Sequence, residues 1–117
     1  MASARQFIHH LTSIEGVRHC ILLRSDGQLL DHNLPDPQGL ASLMMLAALS
    51  AEGVKGKIGL SFFQHMVIGR ENRENLLIFA FGRYYLGVVQ DPQVSSAQLA
   101  ETVGLFLARV TTRNAVA

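Results

Sequence analysis

Leu40–Ile58 reads LASLMMLAALSAEGVKGKI, and the account of every other segment depends on it. Its Ala, Leu and Met content favours one long helix. At about 100° per residue, Leu40, Leu43, Met44, Ala47, Ala51, Val54 and Ile58 share one side, the stripe that a helix turns towards its core. The opposite side should be polar. It carries Met45, Leu46 and Leu49 instead, with Ser42 and Gly53 between them. Charges gather only late, at Glu52, Lys55 and Lys57. A helix that is apolar on two sides is covered on two sides. One cover is the protein's own core. The other is either more of the same fold or a second chain, and the pattern alone leaves both open. Burial is worth roughly 1.5–3 kcal/mol per such side chain, which supports association, after its entropic cost, once strands or other contacts join in.

Length and composition narrow the field. The 117 residues fit one domain with a single core at about residues 5–110. Hydrophobic residues make up 49% and charged residues 16%, a globular balance. The mean hydropathy of +0.24 lies on the apolar side for a small domain, again suggesting surface shared with a partner. A formal net charge of +1 is no nucleic-acid footprint. The single cysteine, Cys20, permits no internal disulfide and points to a reducing, cytoplasmic setting. The opening MASARQFIHHLTS lacks the apolar core of a signal peptide, and Leu43–Leu49 is far too short to span a bilayer, so no membrane insertion is expected.

In chain order, residues 3–12 predict a short helix with Ala4, Phe7, Leu11 and Ile14 inward. Gly16 ends it, and Val17–Arg24 is a strand apolar on both sides, hence interior. Asp26-Gly27 offers the positive φ of a tight hairpin. The second strand, 28–34, turns polar at Asp31, His32 and Asn33, as an edge would. Asp36 caps the long helix, with Pro37 in its first turn. A third strand covers 60–69, a fourth Leu76–Phe81, and a fifth Tyr84–Gln90 after the turn at Gly82-Arg83. Gly87 marks a place where a helix comes close. Ser95 with Gln98 suits a capping box for a last helix with Leu99, Val103, Phe106, Leu107 and Val110 inward, and a loose tail after Thr112. The order α-β-β-α-β-β-β-α makes an α+β domain: a five-stranded antiparallel sheet with helices on both faces.

IEGVRHCILLRSDGQLL, Ile14–Leu30, resembles the opening of the roadblock/dynein-light-chain family, with its first helix, its Gly16-Val17 start to strand one and its Asp26-Gly27 hairpin. YYLGVV, Tyr84–Val89, resembles the family's last strand, and the long helix stands where the family has its central one. Profilin-like and longin-like domains share some of this order. The resemblance implies pairing, with itself or with a second roadblock protein, through central helices and third strands. Here that would be Ser42, Met45, Leu46, Leu49 and Gly53 with Phe63, His65 and Val67. It also implies a non-catalytic regulator or scaffold for a small Ras-like GTPase. Bacterial members resembling the gliding-motility regulator accelerate hydrolysis by such a partner. Ser42, Met45, Leu49 and Glu52 would meet the GTPase, with Arg70 and Arg73 less central.

Motifs for chemistry are missing. Gly56-Lys57 is followed by Ile58, and Ala51 stands where a P-loop needs its first glycine. No His-Glu-x-x-His, cysteine pair or Gly-x-Ser-x-Gly elbow occurs. An arginine presented in trans to a GTPase is conceivable at Arg70, Arg73 or Arg83. No enzyme activity and no cofactor are expected. The alternative is a small-ligand sensor, its ligand held between helix and sheet by Phe62, Phe63, Met66 and Tyr85. These residues read more simply as core.

Overall fold

A capping box opens the first element. The Ser3 hydroxyl accepts the Gln6 N–H and the Gln6 side chain accepts the Ser3 N–H, both at 3.2 Å. Helix α1 follows over Ala4–Thr12 and buries Phe7, Ile8 and Leu11. The computed structural model describes residues 3–58, 65–69 and 74–116, with side chains over 3–51, 65–69 and 74–110.

Gly16, at φ 99°, turns the chain into β1 (Val17–Arg24). A Cβ there would stand 3.0 Å from Val94 Cγ1, and the Gly16 carbonyl accepts the Asp91 N–H at 2.8 Å. The glycine therefore brings the first loop against the last. The Asp26-Gly27 turn leads to β2 (Leu29–His32), shorter than the expected 28–34. The reason is local. The Asn33 N–H still donates to the Cys20 carbonyl at 3.2 Å, but the Cys20 N–H goes to the Asn33 side chain at 2.8 Å and the Leu34 N–H to His32 Nδ1 at 3.0 Å, so side chains take over the acceptor half of the ladder.

Helix α2 spans Gln38–Ile58. The Pro37 carbonyl accepts the Ala41 N–H at 2.8 Å, so Pro37 holds the cap position expected of Asp36. Then come β3 (His65–Ile68), β4 (Leu76–Phe81), β5 (Tyr84–Gln90) and α3 (Ser96–Val116). Residues 60–64, part of the expected third strand, lie outside the described residues. The Ser95 hydroxyl accepts the Gln98 N–H at 3.3 Å and caps α3. The helix continues to Val116 where a loose tail was expected, because residues 111–116 contain neither glycine nor proline to stop it.

The five strands form one antiparallel sheet in the order β2-β1-β5-β4-β3. Alternation along β1 sorts the core. Cys20 and Leu22 face α1 and α3, where Phe7, Leu11, Leu77, Phe79, Leu86, Val88, Leu99 and Val103 close a buried layer. Ile21 and Leu23 face the other way, with Leu76, Ile78, Val89 and the α2 residue Met44. Gly87 permits this second contact. A Cβ at that point would lie 2.5 Å from Met44 Sδ and 2.8 Å from Ile21 Cγ2.

Candidate interaction surface

The seat of α2 fixes what the helix shows to solvent. Met44 is buried against the sheet, and Ala48, one turn on, is buried as well. Leu40, Leu43, Ala47 and Ala51 flank them half-buried. Ala48 was missing from the expected stripe and is buried. Directly outward come Leu46 and Leu49, 65% and 66% exposed, with Ser42 and Ser50 exposed beside them.

Met45 behaves differently from its two neighbours. It is half-buried and packs on the α2 side of the core. Its Cγ and Cε lie 3.9 Å from where a Cβ on Gly27 would stand, so it leans on the β1–β2 turn. That turn is stiffened by Arg24, whose Nε lies 3.1 Å from both Asp26 carboxylate oxygens. The hydrogen bonds from Arg24, helped by the Gln28 N–H, hold the Asp26 carboxyl below its ordinary range.

Beside α2 lies β3. Met66 and Ile68 pack beneath the helix, while His65 and Val67 are exposed, Val67 to 44%. His65 stacks at 5.7 Å from Phe79 of β4. Among the described residues nothing pairs with the outer edge of β3. From Gln38 to Ala51, and again from His65 to Ile68, there is no Asp, Glu, Lys or Arg. His65 and Val67, opposite Phe79 and Leu77, lie on the α1/α3 side of the sheet, and Met66 and Ile68 on the α2 side.

The remaining residues named from the sequence fall as follows. Glu52 and Gly53 lie in α2 beyond its described side chains. Phe62, Phe63, Arg70 and Arg73 lie outside the described residues. Arg83 is exposed in the β4–β5 turn. Met66 and Tyr85, candidates for a ligand pocket, pack against the core beneath α2. An open cleft of about 470 Å³ sits instead at the start of α3, lined by Ile14, Glu15, Val94, Ser95 and Gln98 among others. Cys20 is fully buried, and burial pushes its thiol up to about 12, with the Asp31 charge adding to the shift. Such a thiol is an inert core group. No group of three or more His, Cys, Asp or Glu side chains suited to a metal ion occurs among the described residues. Nor is any helix among them long and apolar enough to cross a membrane.

Comparison with known proteins agrees with this architecture. The sequence matches the family model of the Roadblock/LC7 domain over residues 5–91. MglB of Myxococcus xanthus superposes with a TM-score of 0.77 at 20% identity, covering 92% of this chain and 91% of that one. The gliding protein MglB of Thermus thermophilus gives 0.66 at 21% identity, covering 97% and 95%. Acanthamoeba castellanii profilin IB gives 0.64 at 13% identity, covering 96% and 99%. No curated protein matches the sequence significantly.

Proposed function

The chain belongs to the Roadblock/LC7 family, and on that premise we propose that it is a dimeric, non-catalytic regulator or scaffold for a small Ras-like GTPase. The observation that carries the reading is the pairing of two exposed leucines on α2 with an open, uncharged β3 edge. A monomer gains nothing by exposing either. Joined to a second copy, α2 would pack on its counterpart through Leu46, Leu49 and Ser42, with Gly53 further along the same face. The β3 edges, with His65 and Val67, would continue one sheet into the next. Along Gln38–Ala51 and His65–Ile68 no charged side chain opposes its own copy, so self-pairing over these stretches is electrostatically permitted.

The GTPase would dock where the two α2 helices lie side by side, on Ser42, Leu49 and Glu52, with Met45 at the margin beside the β1–β2 turn. Its Coulomb contribution would come from outside the leucine patch. The test has two parts. Light scattering during gel filtration, over a dilution series, should give twice the 12.8 kDa chain mass. GTP hydrolysis by candidate Ras-like GTPases should then change when the chain is added. A monomer at every concentration rules out the homodimer. An unchanged rate and no co-elution with any GTPase rule out the regulator.

A further inference from the structure

The formal net charge of +1 conceals an uneven distribution. One end of the sheet is formed by the β1–β2 and β4–β5 turns, tied together where the Ser25 N–H donates to the Arg83 carbonyl at 2.7 Å. Arg24 and Tyr84 stand opposite one another there, in the register of β1 with β5. Phe7 of α1 and Phe106 of α3 reach the same end: Phe7 meets both Phe81 and Phe106, and Phe81 lies 5.4 Å from Tyr84. Around this aromatic cluster Arg5, Arg24, Arg83 and Arg109 are all exposed. Arg24 is held by Asp26. Among the described residues Arg5, Arg83 and Arg109 have no carboxylate partner. Asp31, further down the sheet opposite Leu22, is half-buried and forms no ion pair with them. Glu15, Glu74 and Asp91 gather at the other end, where β1 starts and β5 finishes, and Arg18 pairs with the last two.

We propose that this end is a docking surface for an acidic segment of a partner protein, with Arg24 and Arg83 at its centre and Arg5 and Arg109 on its flanks. None of these residues belongs to α2 or β3, so the surface stands or falls independently of the dimer and the GTPase. An arginine fork takes a carboxylate through two parallel hydrogen bonds. Arginine beside half-buried aromatic rings, here Phe81, Tyr84 and Phe106, is also the composition of interface centres. The Arg24–Asp26 pair holds one guanidinium in place, which lowers the cost of ordering it on binding. A lipid surface fits less well. The one exposed large hydrophobic side chain near these arginines is Leu105, a turn before Arg109. Attraction to anionic headgroups is worth only about 1 kcal/mol per arginine, so three unpaired ones fall short of stable anchoring.

The probe is a fluorescein-labelled oligoglutamate peptide, its anisotropy followed as the full chain is added at low and then at physiological salt. Binding should saturate at low salt and weaken as salt rises. Arg83→Glu should weaken it about tenfold, since the change removes an attraction and adds a repulsion. Arg83→Lys keeps the charge but loses the fork, and should fall between the two. Arg18→Glu makes the same charge change at the opposite end and should shift affinity less than about threefold. Arg83 and Arg18 are exposed, and circular dichroism with melting checks that each variant folds. No saturable binding at low salt overturns the proposal. So does equal weakening by Arg83→Glu and Arg18→Glu, which would mean that the peptide reads net charge alone. Sedimentation with vesicles of phosphatidylcholine and phosphatidylserine is the second arm. Vesicle binding without peptide binding assigns the surface to lipid and overturns the protein partner.

Discussion

The two faces of the sheet are finished to different degrees. Two helices, α1 and α3, cover one face and seal a layer that runs from Phe7 and Leu11 through Cys20, Leu77 and Val88 to Leu107. Among the described residues a single helix covers the other. There Ile21, Leu23, Met44, Leu76, Ile78 and Val89 are enclosed, while Leu29, Leu34, Leu40, Leu43, Met66 and Ile68 remain partly open. One helix is about 10–12 Å across with its side chains, and five strands at about 4.8 Å spacing are wider than that. The single-helix face is therefore where more protein can be added. The exposed leucines lie on the back of that same helix.

Breaking the sealed face should have the largest effect. Phe7 stacks on Phe81 at 5.7 Å and meets Phe106 at 5.6 Å. Phe7→Ala should cost about 3–5 kcal/mol, measured by urea unfolding. In conditions where the variant still folds, its mass should match the unaltered chain, because the lost contacts are remote from α2.

Tightening the open face comes next. Gly87→Ala drives a methyl into Met44 and Ile21, both fully buried. The expected loss is about 1–3 kcal/mol, because the methyl must displace the Met44 thioether or shift the helix that carries it. This variant should also weaken association, since the outer side of α2 moves with its seat.

Leu49→Glu separates the two properties. Leu49 is 66% exposed, so the stability of the isolated chain should change by less than about 0.5 kcal/mol. A carboxylate inside the proposed helix pair should nevertheless convert dimer to monomer in the same light-scattering experiment. If the dimer persists unchanged, the leucine patch is not its contact.

The smallest effect is chemical. Cys20 lies on the sealed face with its thiol pushed up to about 12. At pH 8 the folded chain should resist iodoacetamide and react fully only once unfolded. The sign of the linked stability follows. From the ordinary value of 9.0 upwards the unfolded thiol loses its proton while the folded one keeps it to about 12. This group's contribution therefore falls as pH rises across that window.

Much of this fold was legible in the chain itself. β1, β4 and β5 begin and end where their apolar runs do, because interior strands must be apolar on both sides and the turns at Asp26-Gly27 and Gly82-Arg83 admit little else. Gly87 was readable as a close approach, and Met44 fills it. Ile8 and Ala48 were missed because periodicity gives a helix face only to within about one residue, and packing chooses its centre. The end of β2 was misplaced because Asn33 and His32 bond through their side chains, which no hydrophobic pattern records. Met45 was grouped with Leu46 and Leu49 on spacing alone. Its contact with the β1–β2 turn joins residues that are far apart in the chain.

By itself the sequence determined the element order, the antiparallel sheet with helices on both faces, and the existence of a second apolar side on α2. These follow from local periodicity, turn chemistry and composition, which act over a few residues at a time. Only the tertiary structure decided that the exposed second side narrows, among the described residues, to Leu46 and Leu49, that β2 and β3 are the outer strands of the sheet, and that β2 bulges at Leu30. Each of those depends on which elements lie beside one another, and neighbours in space are set by the packing of the whole chain.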